Sequence, residues 1–240
     1  MGMPITIEAV DEVASTDLFD EVFSYFRRID ERFSTFKETS EITAINNQQV
    51  AEADWSAEMK EVMALAEQTR QQTDGYFSIL KPDGTYDTSG LVKGWAIWHA
   101  GKIMFDRGCK NFFVDAGSDI QTFGLNEDGQ KWSVGIKNPF KEDEIVKTVY
   151  LSGEGVATSG TYLRGEHIYN PKTGEVANDI VSLTVIGPNI YEADRFATAA
   201  FVMGEDGIKF IEQLDGFEGY AIDKDGLGTS TSNFNKYLTQ

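Results

Sequence analysis

Asp194 and Thr198, in the segment EADRFATAAFVMG, stand four residues apart, the spacing that places two side chains on one face of an α-helix, one turn from each other. A carboxylate and a hydroxyl so placed are hard oxygen donors. They suit a cation such as Mg2+, whose remaining positions are filled by water and substrate phosphates. The same pair also has a plain structural use, with Asp194 favouring a helix N-terminus and Thr198 packing. A second cluster lies in GVATSGTYLRGEHIYNPKTGEV, where Thr158, Ser159 and Thr161 flank Gly160 and precede Arg164 and His167. Small hydroxyl-rich turns let backbone amides approach a phosphate closely, and an ordinary hairpin turn has the same composition. His167 is one of two histidines, the other being His99. Lys93 falls in the first turn of an expected helix, where a cation opposes the helix dipole unless an anion is bound nearby. Asp87, just ahead of that helix, can cap it or accept a hydrogen bond from a ligand. Tyr76 and Phe77 follow Gly75 in an expected turn, where exposed rings could stack on a planar ligand and buried ones would join the core.

The elements that must position these groups are read from hydrophobic periodicity. After the strand-like PITIEAV, Leu18, Val22, Phe26, Ile29 and Phe33 follow at spacings of four, four, three and four, with charged residues between them. That pattern predicts an amphipathic helix. STFKETSEITAIN reads as a polar, hydroxyl-rich loop, and a second helix is expected from about Asp54 or Ser56, burying Met59, Val62, Met63 and Ala66. DGYFSILKPDGTYDTSGLVKG mixes turn signals with short strands. A helix follows from Ser89 or Gly90 through Lys93, Trp95 and Trp98, with Thr88 or Ser89 as its cap. NFFVDAG, SDIQTFG, KWSVGIKN and IVKTVYLSG are β-rich runs separated by turns, and DIVSLTVIG reads as a buried central strand. HIYNPKTGEV holds a turn at Pro-Lys-Thr-Gly. Helices from near Glu192 to before Gly204, and from about Glu205 to Leu214, precede GYAID, which is expected to close the sheet. The tail DGLGTSTS reads as flexible and polar. With strands largely consecutive, the fold class is α+β: one domain over residues 1–240, a mostly antiparallel sheet core flanked by helices, with room for two lobes.

Composition narrows the function classes. The 240 residues include 39 acidic and 21 basic side chains, a net charge of -18, which repels nucleic acid and anionic membranes. A nucleotide phosphate would need a local remedy: a metal ion, a helix N-terminus or backbone amides. Cys109 is the single cysteine, which excludes an internal disulfide and a zinc site of several thiolates. No stretch approaches the roughly 20 apolar residues that cross a bilayer, and no signal peptide follows Met1. The expectation is a soluble chain without a membrane-spanning segment, cytoplasmic if complete, extracytoplasmic and membrane-anchored if an export signal was removed. The fingerprints G-x-G-x-x-G, Walker A and G-x-S-x-G do not occur.

MGMPITI, STFKETSEITAIN, DGYFSI, YDTSGLVKGWA, VDAGSDIQTFG, WSVGIKNP, VATSGTY, HIYNPKTG and EADRFATAAFVMG follow in this order along nearly the whole chain. Together they resemble the ApbE family of FAD:protein FMN transferases. The resemblance implies an Mg2+-dependent transferase that takes FAD as substrate and attaches FMN, through a phosphoester bond, to a Thr or Ser hydroxyl of a flavin-accepting protein, with release of AMP. Redox-pump and reductase subunits are the acceptors it implies. It also implies that Met1, Phe36, Tyr76, Phe77, Ser78, Asp87, Lys93, His167 and Ile168 line the FAD site, and that Asp194, Thr198 and the backbone carbonyl of Gly90 hold Mg2+. His167 would help the acceptor hydroxyl lose its proton, and Asp194 would share the catalytic work. Three positions depart from the family pattern: Asn170 replaces the usual Asp, Ala197 stands where some members have an acidic ligand, and Phe36 stands where some have Tyr. Two other readings stay open: an Mg2+-dependent FAD pyrophosphatase, with water in place of the acceptor, and a non-catalytic FAD-binding protein.

Overall fold

The β-rich runs resolve into two antiparallel sheets. In the computed structural model, which describes residues 2–161 and 168–240, one sheet holds β1 (Ile5–Ala9), β2 (Phe112–Ala116), β3 (Asp119–Phe123), β6 (Gly155–Gly160), β7 (Ile180–Gly187), β8 (Glu218–Asp223) and β9 (Gly228–Ser230), neighbours in that order. Strands β4 (Trp132–Asn138) and β5 (Lys141–Leu151) form a separate hairpin between β3 and β6 in the chain. The period of two sorts side chains between the faces of the large sheet. Ala157, Leu183 and Val185 join the main core, whereas Val156 and Ile186 meet Ile136, Val149, Leu151, Phe234 and Tyr237 on the other side. Strand β7 is therefore covered on both faces, which is why it reads as a continuous apolar run.

The helices are α1 (Thr16–Phe33), α2 (Glu41–Asn46), α3 (Ala57–Gln72), α4 (Ser89–Asp106), α5 (Ile190–Val202) and α6 (Gly207–Glu212). Each of the longer ones starts where a side chain satisfies a free amide. Ser15 accepts from Leu18 N at 3.3 Å, Ser56 from Met59 N at 3.1 Å and Asn189 from Glu192 N at 2.9 Å. Asn189 sets the start of α5 at Ile190, ahead of the Glu192 expected from the sequence. Helix α4 begins at the expected place, with a different cap. The Thr88 side chain bonds no amide, and Asp87 Oδ1 accepts from Ser89 N at 3.0 Å instead. Along α1 the expected stripe is buried with Tyr25 added to it, each fully buried aliphatic side chain contributing roughly 1.5–3 kcal/mol.

Four expectations are corrected. Residues 34–46 are not loop throughout, because buried Ser40 caps α2 through Thr43 N and Ile42 and Ile45 turn into the core. The DGLGTSTS tail is not flexible: Gly228–Ser230 pairs with β8 as an edge strand, and Thr231 is buried behind it. Thr158 and Ser159 lie inside β6, paired with Thr184 and Leu183, and so belong to no phosphate-binding turn. The segment expected as one helix from Glu205 to Leu214 is a 3-10 turn, Gly204–Asp206, followed by the short α6. Among the described residues no helix is long and apolar enough to cross a membrane.

Candidate active site

The crossing of α4 and α5 brings the chemistry together. Strand β3 fixes the start of α5, since Gln121 Oε1 accepts from Ile190 N at 2.7 Å. One turn on, Asp194 is 3% exposed and its Oδ2 accepts from Gly94 N of α4 at 2.8 Å. A Cβ at residue 94 would lie 2.6 Å from Asp194 Cβ and 2.8 Å from Ile190 O, so the two helices approach this closely because residue 94 is glycine. In a regular helix that amide serves the carbonyl of Gly90. Sharing it with Asp194 leaves lone pairs on that carbonyl for another partner.

Lys93, the preceding residue, enters the same space. Its Nζ lies 2.5 Å from Asp119 Oδ2 and 3.9 Å from Asp194 Oδ1. Asp119 opens β3 and is 1% exposed, and its Oδ1 accepts from Thr158 N of β6 at 3.1 Å. A tight turn with positive φ at Gly117 (65°) and Ser118 (73°) places it beside Asp115, whose Oδ1 accepts from Ser118 N at 2.9 Å. Burial raises the Asp194 carboxyl to about 7; Lys93 opposes the rise and the negative charge of Asp119 adds to it. Burial also raises Asp115, with Asp119 contributing in the same direction. Among the described residues, Asp119 and Asp194 are thus two buried carboxylates beside the one Lys93 ammonium that reaches both, a charge balance that a divalent cation would correct.

Thr198, half-buried on the next turn of α5, completes the junction. The Cβ position of Gly90 lies 3.4 Å from its Cγ2, 3.7 Å from its Oγ1 and 3.4 Å from Phe77 Cε2. Gly90, Thr198 and Asp194 therefore offer a carbonyl, a hydroxyl and a carboxylate in one place. Among the described residues no group of three or more His, Cys, Asp or Glu side chains could hold a metal ion. One carboxylate with two neutral oxygens is not an all-protein cage, and it fits Mg2+, which keeps waters and takes substrate phosphates as ligands.

The other expected residues divide. Phe77 is 2% exposed and packs in the core, so it offers no free ring face for stacking. Tyr76 is half-buried, and Lys172 Nζ lies 4.0 Å from its ring centroid while bonding Asp74 at 2.9 Å. Ser78 closes its own turn, accepting from Leu80 N at 3.0 Å. Asp87 caps α4, and the chain ahead of it is held by Asn46, whose side chain bonds both Tyr86 O at 2.9 Å and Tyr86 N at 2.7 Å. Ile168 is half-buried against the core. Phe36 is 97% exposed, and the structure does not bring it into the junction. Met1 and His167 lie outside the described residues. The His99 ring lies tilted against Trp95, with centroids 4.5 Å apart, and burial lowers its pKa, with Glu61 opposing that shift. Asp119, Asp115, Gly94 and Asn46 were not singled out from the sequence. The signal for the first two was the pair of acids spaced four apart around the Gly-Ser turn in VDAGSDI. A surface cavity of about 520 Å3 lined by Asp179, Met203, Glu205, Asp206, Asp223, Lys224 and Asp225 shares no residue with this junction, and its charge repels phosphate.

Comparison with known proteins gives one consistent relationship. Residues 1–81 and 78–221 match the ApbE family. The FAD:protein FMN transferase of Escherichia coli K12 is 32% identical over 155 residues, which is 60% of this chain and 44% of that protein, so the matched stretch spans less than half of the relative's length. The solved structure of flavin transferase ApbE from Vibrio cholerae superimposes with a TM-score of 0.86 at 23% identity, over 99% of this chain and 96% of the other. The ApbE protein from Thermotoga maritima gives 0.89 at 22% identity, over 100% and 97%. At these identities the structural likeness speaks for the fold: mixed helices and a mostly antiparallel sheet.

Proposed function

We propose, because the chain belongs to the ApbE family, that it is an Mg2+-dependent FAD:protein FMN transferase. The observation that carries this reading is the junction itself, where Lys93, Asp194, Thr198 and Gly90 meet at a helix crossing that only glycine at residue 94 permits. In the proposed reaction the hydroxyl oxygen of an acceptor Thr or Ser bonds to the FMN-side phosphorus of FAD. The bond from that phosphorus to the bridging oxygen breaks, AMP leaves with the bridging oxygen, and the hydroxyl proton passes to a base, for which His167 is the candidate. Asp194, Thr198 and the Gly90 carbonyl would hold Mg2+, which when bound neutralises charge developing on the departing phosphate. Lys93 supplies a cation facing the same anionic groups, in a molecule whose net charge of -18 otherwise repels them. The acidic junction excludes free phosphate until the metal is present, which makes binding of FAD and metal mutually dependent.

The test is intact mass of an acceptor peptide incubated with the chain, FAD and Mg2+, with AMP followed in parallel. A gain of one FMN less one water, together with AMP, supports transfer. Steady AMP and FMN release with the peptide unmodified would assign hydrolysis instead, and FAD binding without AMP would assign a binding protein.

A further inference from the structure

We infer that Asp119 is a positioning residue for this site: it holds the Lys93 ammonium off Asp194, so that one Asp194 oxygen stays open to a cation and Lys93 stays turned toward an anionic substrate. The inference rests on the proposed handling of FAD and Mg2+ at the junction. Asp194 Oδ2 already accepts from the Gly94 amide, and Oδ1 is the oxygen on the side of the Lys93 ammonium. Lys93 Nζ stands 3.9 Å from that oxygen and 2.5 Å from Asp119 Oδ2. Coulomb attraction falls with distance, and between two buried carboxylates the nearer one holds the ammonium. Without the Asp119 charge the ammonium, which also feels Asp115, has Asp194 Oδ1 at 3.9 Å as an anionic partner within reach, and a cation would have to displace it there. Asp119 is suited to the task because it cannot follow the lysine. Its Oδ1 is tied to Thr158 N at 3.1 Å, its own strand is paired on both sides, and it is 1% exposed.

The experiment separates this role from a structural one. FAD binding is followed by flavin fluorescence across an Mg2+ titration for the wild-type chain, Asp119→Asn, Lys93→Met and the double variant. Asn keeps an oxygen for Thr158 N–H and removes the charge. The expected result is a rise of roughly tenfold in the Mg2+ midpoint for Asp119→Asn that disappears when Lys93 is already Met, because the two residues act as one unit. An unchanged midpoint, or the same rise in the Lys93→Met background, overturns the inference. A crystal structure of metal-free Asp119→Asn provides a readout that needs neither FAD nor Mg2+: Lys93 Nζ is expected within hydrogen-bonding distance of Asp194 Oδ1, and a lysine that has not moved toward it overturns the inference. If the wild-type chain binds no FAD at any Mg2+ concentration, the functional reading fails, and the lysine position in that crystal still decides the role of Asp119.

Discussion

A single methyl group at residue 94 would reach within 2.6 Å of Asp194 Cβ and 2.8 Å of the Ile190 carbonyl, closer than atoms in a packed interior tolerate. Gly94→Ala is therefore expected to force α4 and α5 apart, at a cost of about 1–3 kcal/mol, and to weaken Mg2+-dependent FAD binding along with stability. Urea unfolding reads the first effect; a midpoint equal to wild type would show that the helices do not meet as described. At this scale the sequence was partly legible. The spacing of four puts Asp194 and Thr198 on one helix face, which alone serves a plain structural use as well, and Lys93 stands out as a cation at a helix start. Their partners do not. Gly94 touches Asp194 across 100 positions of chain, and the acid pair in VDAGSDI does not by itself say that Lys93 will meet Asp119. Phe77 went the other way, because an aromatic after a glycine looks the same in sequence whether it faces a ligand or the core.

The elements were more legible where caps and apolar spacing agree, as in α1 and α3, and less so where polar residues conceal them. Helix α2 is hidden by a run of hydroxyls, one of which, Ser40, is its buried cap. Strand β9 is three exposed residues in a glycine-rich tail, and its anchor is Thr231, which donates to buried Glu218 and accepts from Gly219 N at 3.0 Å. Thr231→Ala should destabilise the chain by about 1–3 kcal/mol, since it strips a buried carboxylate of a donor. Thermal unfolding checks this, and an unaltered midpoint would return the segment to the status of a loose tail. A second tie fixes the loop after β1: Asp11 accepts from Lys110 N at 2.7 Å, Asn111 N at 2.6 Å and the Asn111 side-chain amide at 3.0 Å. Partial burial pushes this carboxyl up, but the hydrogen bonds outweigh it and hold its pKa below the ordinary 3.8. A depressed folded value means stability that is present above 3.8 and lost as pH falls through the folded pKa. Asp11→Asn should flatten that part of the acid limb; acid unfolding with the same slope as wild type would contradict it.

For the whole molecule, charge and topology were legible and the acceptor was not. The net charge of -18 calls for local neutralisation wherever a phosphate is to bind, and consecutive strands correctly indicated a mostly antiparallel α+β fold. Both faces of the large sheet are covered, by helices on one side and by the β4–β5 hairpin with the C-terminal 3-10 turn on the other. No local pattern revealed that second layer. The family relationship makes FAD the proposed substrate, while the junction of Lys93, Asp119, Asp194, Thr198 and Gly90 is where its pyrophosphate would be split. The most direct measurement is the intact mass of an acceptor peptide after incubation with FAD, Mg2+ and either the wild-type chain or Asp194→Ala. The expected result is a peptide heavier by one FMN less one water with the wild-type chain, and at least a hundredfold slower modification with the variant, roughly 2.7 kcal/mol of transition-state stabilisation. Transfer at an equal rate with Asp194→Ala, or no modification alongside release of FMN and AMP by the wild-type chain, would contradict it.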